Sequence, residues 1–285
     1  MPLPHIDRSP TMRAAWLAVL CLAMWAGAAT AAVETVTLGG AGAGLSTMRA
    51  LAAEFAKVAP DVSIVILPSM GSGGGMRALS AKVVDMAVVS RPASPQEAAR
   101  GLVAVEYGRT PFVFVTSKDD VHGFDNVAQA AEIISGRRHA WPDGTPIRVV
   151  MQNKRDGNTV QLEKISLAMN QAVQTALAKP GAIIASYGEA AAETIERTPG
   201  AFGTSNMALV LTGHRHLNML SIQGIAPSPK AIADGSYPYY KTMFVAHGAA
   251  VSPATRRFIA FIFSAKGRQV LLRSGHWLPG QPAQG

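Results

Sequence analysis

The chain has 285 residues, 48% of them hydrophobic, so it is long enough to bury one large core or two smaller ones and is not disordered. Its 26 Lys and Arg residues against 18 Asp and Glu residues give a formal net charge of +8, which suits an anionic ligand or surface and equally suits a dispersed charge that keeps the protein soluble. The basic residues form no cluster with interleaved aromatic side chains, and this excludes a typical nucleic-acid interface.

The first 32 residues have the order of a secretory signal. Arg8 and Arg13 precede an apolar run over 14–26, and small residues follow it. The run is too short for a membrane span, and no later stretch reaches about 18 uninterrupted apolar residues. We predict a cleaved signal peptide over 1–32 and a periplasmic mature protein, with translation starting at Met1 or Met12.

The single cysteine, Cys21, lies inside this apolar run, so cleavage leaves a mature chain without disulfide or thiolate chemistry. A lipid anchor on Cys21 is the alternative, but the bulky Leu20 precedes it where that processing needs a small residue.

The residues from 33 onward predict strands that alternate with helices. A strand, a glycine-rich turn and a helix occur twice in succession, which indicates a parallel sheet. The first part contains predicted strands over 35–38, 62–67, 85–89 and 110–116, glycine-rich turns over 39–44 and 71–75, and helices over 46–58 and 76–83. The strand over 110–116 is a candidate crossover between two halves of the molecule.

The middle of the chain, 117–233, has its own alternation of elements. It contains predicted helices over 127–134 and 182–195, strands over 147–151 and from 201, and a polar loop over 154–159 that precedes a long helix. A strand over 237–246 is the predicted return crossover, and a final helix over 253–272 packs on the first half. No low-complexity linker separates the halves, so strands join them.

The two glycine-rich turns are candidate anion sites, because a helix start gathers backbone N–H groups and the positive end of the helix dipole. Ser46 and Thr47 lie at the predicted start of the first helix, and Ser72 lies among the glycines of the second turn. Either turn alone fits an ordinary helix cap; two in succession favour a binding site.

Nucleotide sites and enzymatic sites are disfavoured. Met76 and Arg77 follow the second turn where a phosphate loop has Lys and then Ser or Thr. The sequence has no Gly-x-Ser-x-Gly turn and no His-Glu-x-x-His motif. His214 and His216 are two apart and His247 is distant, so a metal site would need the fold to gather them. We expect no catalysis, cofactor or metal. The alternative is a hydrolytic enzyme such as a phosphatase, but the sequence shows neither a nucleophile motif nor a metal cluster for one.

Five short motifs resemble the periplasmic phosphate-binding proteins of ABC importers, which are type II periplasmic solute-binding proteins. They are GAG at 40–42, GSGGG at 71–75, VDMAVVS at 84–90, PGAFG at 199–203 and FIFSAKG at 261–267. The resemblance covers nearly the whole mature chain. It implies a two-lobed α/β periplasmic-binding-protein-like fold, each lobe a central mostly parallel sheet flanked by helices, joined by two crossover strands. The implied lobes are 33–113 with 240–285, and 114–239.

The resemblance also implies which residues bind the ligand. Those of the first lobe are Ser46, Thr47, Ser72, Gly73 and Ser90, with Arg91 beside them, and those of the second lobe are Arg155, Asp156, Asn158 and Thr159. The Arg155 guanidinium would offer paired donors to two oxygens of the anion, with Asp156 orienting it.

Two positions depart from the family pattern. Arg91 stands where the familiar phosphate binders have a carboxylate that accepts the ligand proton; it could donate to the ligand or pair with an acid such as Glu106. The second-lobe loop is shorter than usual, so Lys154 could occupy the place of the arginine.

The expected function is capture of an inorganic oxyanion, phosphate first, and delivery by a monomer to an ABC permease in the inner membrane. The alternatives are a sensory anion-binding module, or a binder of molybdate, tungstate, sulfate or a small carboxylate.

Overall fold

The computed structural model describes residues 33–280, so the predicted signal peptide lies outside the described residues. Within 33–280, no helix is long and apolar enough to cross a membrane.

This part of the chain alternates strands with helices. The strands are β1 (Glu34–Gly40), β2 (Val62–Ser69), β3 (Met86–Val89), β4 (Leu102–Thr116), β5 (Gly123–Phe124), β6 (Arg148–Gln152), β7 (Ile183–Ala185), β8 (Ala201–Asn206), β9 (Asn218–Met219), β10 (Ser221–Ile222) and β11 (Tyr240–Gly248). The helices are α1 (Gly42–Ala56), α2 (Gly71–Ser80), α3 (Pro95–Ala99), α4 (Val127–Ser135), α5 (Gly157–Glu163), α6 (Leu167–Ala178), α7 (Gly188–Arg197), α8 (Met207–Thr212), α9 (Pro229–Ala233), α10 (Pro253–Phe263) and α11 (Ala265–Arg273).

The first group of strands has the order β2-β1-β3-β11-β4. β1 pairs in parallel with β2 and β3, and β11 runs antiparallel to both β3 and β4. Helices α1, α10 and α11 supply Leu45, Phe258 and Leu271 to the core on one face, and α2 supplies Met76 to the smaller core on the other. Helices on both faces explain why β3 is entirely apolar and buried.

The second group of strands has the order β4-β8-β6-β7. β6 pairs in parallel with β7 and β8, and the carboxyl-terminal part of β4 runs antiparallel to β8. Helices α4 and α6 pack on one face around Phe114 and Phe202, whose rings stack 5.9 Å apart. Helices α7 and α8 cover the other face around Ile195 and Leu209.

Strand β4 belongs to both groups. Leu102 to Pro111 pair with β11, whereas Phe112 to Thr116 pair with β8. The chain thus passes to the second sheet along β4 and returns along β11. The predicted fold class is confirmed: two α/β lobes are joined by two crossover strands.

Several element boundaries differ from the sequence-based expectations. Helices α1 and α2 begin inside the glycine runs that we interpreted as turns, because these helices pack close to the strands: a Cβ on Gly75 would lie 2.8 Å from Gly40 Cα. The single helix predicted over 182–195 is β7 followed by α7. The final helix is two helices, since Ser264 is extended and caps α11 through Gly267 N–H.

Candidate functional site

A cleft of about 1020 Å³ opens where the parallel strands of both sheets end. Four helices, α1, α2, α5 and α7, each follow such a strand, and each begins with a glycine that lines the cleft: Gly42, Gly71, Gly157 and Gly188. The carboxyl ends of parallel strands are where α/β proteins bind ligands. Two helix starts from each sheet therefore surround one cavity.

Two backbone N–H groups at the start of α1, those of Gly42 and Ala43, have no acceptor among the described residues, whereas the Ala41 N–H donates to the backbone oxygen of Val88. The first N–H groups of a helix have no intrahelical acceptor, and no side chain caps this helix at Ala41. Ala41, Gly42 and Ala43 all line the cleft, and neither α1 nor α2 has an acidic residue in its first turn. The peptide groups therefore present partial positive charge to the cavity.

Ser72 and Ser90 form a pair of hydroxyl groups on the first-lobe wall. The Ser90 N–H donates to Ser72 Oγ over 3.0 Å, and the two Oγ atoms lie 3.1 Å apart. Their mutual hydrogen bond uses one of the two hydroxyl protons, so the other remains available to a ligand. Gly73 lines the cleft beside them.

Arg91 also lines the cleft, but its charge already has a partner. Its guanidinium donates two hydrogen bonds of 2.7 Å to the Glu97 carboxylate, and that carboxylate also accepts from Ser94 N–H in a capping box of α3. The hydrogen bonds from Arg91 lower the pKa of Glu97 to about 2. Glu106, the acid that we considered as a partner, is bound by Arg109.

The loop before α5 forms the opposite wall. Arg155, Asp156 and Asn158 line the cleft, whereas Lys154 is not among the lining residues. Asp156 caps the helix, its Oδ1 accepting from Asn158 N–H over 2.8 Å. Arg155 is exposed to solvent at the rim of the cleft, so its positive charge lies at the cleft entrance in this structure.

Three of the predicted site residues do not line the cleft. Ser46 and Thr47 lie one turn inside α1, because the helix begins at Gly42, and both are buried. Thr159 is fully buried, and its hydroxyl donates to the backbone oxygen of Gln152, which ties α5 to β6.

Lys241 is a further cleft residue, and no sequence motif marks it. This residue is the second of β11, is only 4% exposed, and lines the cleft. Burial lowers the pKa of its ammonium group to about 8, and Asp156 partly opposes the shift. The sequence signal that could have drawn attention to it is a lone lysine in the largely apolar run of the return crossover.

The charged side chains that line the cleft are mainly basic. The lining residues of the described chain carry a single carboxylate, Asp156, against Arg77, Arg91, Arg155, Lys164 and Lys241. Residues 33–280 hold no group of three His, Cys, Asp or Glu side chains placed to bind a metal. The arrangement can hold a small anion through peptide, hydroxyl and ammonium donors.

Known proteins share this architecture. A "phosphate-binding protein PstS" of Borreliella burgdorferi is 22% identical over 219 residues, which are 74% of this chain and 78% of that protein. A substrate-binding protein from Clostridium perfringens, crystallised with bound phosphate, superposes with a TM-score of 0.69 at 19% identity over 86% of this chain and 99% of its own. An "ABC-type phosphate transport receptor" from Vibrio cholerae gives a TM-score of 0.58 at 18% identity over 86% and 100% of the two chains.

At these identities the solved structures establish the fold. The family is established separately, because the family model described as "PBP superfamily domain" matches residues 26–266 and so spans both sheets and every helix start around the cleft. The chain therefore belongs to the PBP superfamily domain family.

Proposed function

We propose that the protein is a periplasmic solute-binding protein that captures phosphate in the cleft and delivers it to an ABC permease. The observation that carries this proposal is the convergence of four glycine-initiated helices, two from each sheet, on a cavity with predominantly basic side chains. The names of the relatives, which are binding proteins for phosphate rather than enzymes, support the same ligand.

The mechanism follows from the position of the cleft between the lobes, which we take as 33–113 with 240–285, and 114–239. An anion that receives hydrogen bonds from both walls binds the closed arrangement more tightly than the open one, and so shifts the population toward closure. The closed form is the one that the permease recognises, and a monomer, exported by its signal peptide, is sufficient for this cycle.

The test is thermal unfolding of the purified, dialysed protein with phosphate, sulfate, molybdate, tungstate and small carboxylates. A ligand that binds the native state raises the unfolding temperature, by an amount that grows with its concentration relative to Kd. We expect the largest rise with phosphate. A larger rise with another anion would change the ligand, and no rise with any of them would contradict the proposal. Turnover of a chromogenic phosphate ester would indicate a hydrolase instead.

A further inference from the structure

Lys241 lies at the point where the two lobes meet. It pairs with Thr110 in the β4–β11 ladder, and the Gln161 side chain of α5 donates to the backbone oxygen of the preceding Tyr240 over 2.8 Å. The side chain is 4% exposed, and its Nζ lies 5.9 Å from the centroid of the Phe112 ring. The crossover strand β11 thus carries a buried ammonium group at the wall of the cleft.

This ammonium group has no close counter-ion in the protein. Across residues 33–280, no carboxylate oxygen lies within 4.0 Å of Lys241 Nζ. The bases that do form ion pairs of that length are all more exposed than Lys241. A buried cation without a partner is unfavourable. Burial accordingly lowers its pKa to about 8, with only partial compensation from Asp156. The other titratable groups that line the cleft are Arg77, Arg91, Arg155, Lys164, Tyr187, Tyr239 and Tyr240.

Donors from both lobes converge beside this group. A Cβ placed on Gly157 would lie 3.2 Å from Lys241 Nζ and 3.7 Å from Ser90 Oγ. The start of α5 therefore approaches Lys241 and Ser90 too closely for a larger residue than glycine, and all three line the same part of the cleft. By contrast, Arg91 is neutralised by Glu97 and Arg155 lies exposed at the rim.

We propose that Lys241 is the cationic ligand of the bound oxyanion and that it fills the role which the family resemblance assigns to Arg155. This inference rests on the proposed function. An oxyanion in the cleft beside Lys241 supplies the counter-ion that the protein lacks, and it stabilises the protonated ammonium group. Anion binding is then coupled to the protonation of Lys241: the affinity is full below about pH 8 and falls as the pH rises above it.

The first experiment measures phosphate binding by titration calorimetry to the unaltered protein, to Lys241→Met and to Lys164→Met. Lys164 also lines the cleft but is exposed, so its substitution removes the same charge without removing a buried ligand. We expect Lys241→Met to weaken binding roughly tenfold to hundredfold, and Lys164→Met to weaken it by no more than about threefold. The unfolding temperature without phosphate should not fall in Lys241→Met, because the variant removes an unpaired buried charge.

The second experiment measures the proton uptake that accompanies phosphate binding. Phosphate titrations at about pH 9 in two buffers of different ionisation enthalpy should reveal uptake of a fraction of a proton per anion bound, and Lys241→Met should lose that uptake. Equal affinity of the unaltered protein and Lys241→Met, or no proton uptake, would overturn this inference and leave the proposed function standing. Failure of the unaltered protein to bind phosphate at all would overturn both.

Discussion

At the residue scale, local hydrogen bonds determine which donor groups of the cleft side chains remain available to a ligand. Ser72 accepts from the Ser90 N–H and shares a hydrogen bond with the Ser90 hydroxyl, so its position on the first-lobe wall is held from two directions. Arg91 shows the opposite case. Its paired hydrogen bonds to Glu97 place a carboxylate of the first lobe against its charge, so it offers the cleft less net positive charge than an unpaired arginine would.

Ser72→Asp should abolish phosphate binding while leaving the protein folded. The substitution places a carboxylate among the hydroxyl and N–H donors, and juxtaposed like charges cost several kcal/mol, so we expect affinity to fall by roughly a hundredfold or more. Calorimetry and thermal unfolding measure the two effects. Ser80→Asp, which alters an exposed residue at the other end of α2, is the matched control. Retained affinity in Ser72→Asp would remove this residue from the site.

At the element scale, the segment after α11 joins the carboxyl terminus to the crossover strand. Arg109 and Trp277 exchange backbone hydrogen bonds of 2.8 and 2.7 Å, and the Arg109 guanidinium lies 4.9 Å from the Trp277 ring centroid. His276 is fully buried beside Tyr107, and neither of its ring nitrogens has a hydrogen-bond partner in the described structure. Burial lowers the pKa of His276 from 6.5 to about 4.

His276 should make the protein less stable as the pH falls from 6.5 to 4. In this window the unfolded chain binds a proton at His276 that the native protein does not, so the free energy of unfolding decreases, by on the order of 3 kcal/mol at most. Urea unfolding across this pH range measures it.

The control separates His276 from the carboxylates that also protonate in acid. His276→Gln removes the histidine contribution and should flatten the pH dependence, whereas His139→Gln, at an exposed position, should not. Parallel pH profiles for His276→Gln and the unaltered protein would contradict the assignment.

At the scale of the whole molecule, the cleft joins two sheets that have separate cores. Apart from the crossover strands, one link between them is the ion pair of Arg49 in α1 with Glu189 in α7, whose Nη1 and Oε1 atoms lie 2.5 Å apart. Both helices begin at the cleft, and this pair links the two lobes in a second pocket that Arg49 and Glu189 line. It is partly exposed, and exposed pairs contribute no more than about 1 kcal/mol.

Arg49→Met should weaken phosphate binding by a few fold, at most about fivefold. The substitution removes an ion pair between the lobes that stabilises the closed arrangement, which is the one that binds the anion. Arg257→Met is the matched control, since Arg257 forms a similarly exposed pair with Asp61 within the first lobe. Calorimetry at low and high salt compares the two. Equal losses of affinity, or a loss that salt does not diminish, would show that the Arg49 pair has no special role in closure.

The sequence by itself determined the fold class and much of the first-lobe wall. Apolar runs of strand length that alternate with helices specify a parallel α/β architecture, and the family motifs pointed to Ser72 and Ser90, which the structure brings into contact. Only the tertiary structure decided where α1 begins, and with it the burial of Ser46 and Thr47. A glycine-rich helix start that packs closely on a strand and a glycine-rich turn cannot be distinguished by their residue composition. The tertiary structure also decided that Glu97 neutralises Arg91 and that Lys241 faces the cleft. Those contacts depend on how distant strands cross, and no periodicity along the chain records that geometry.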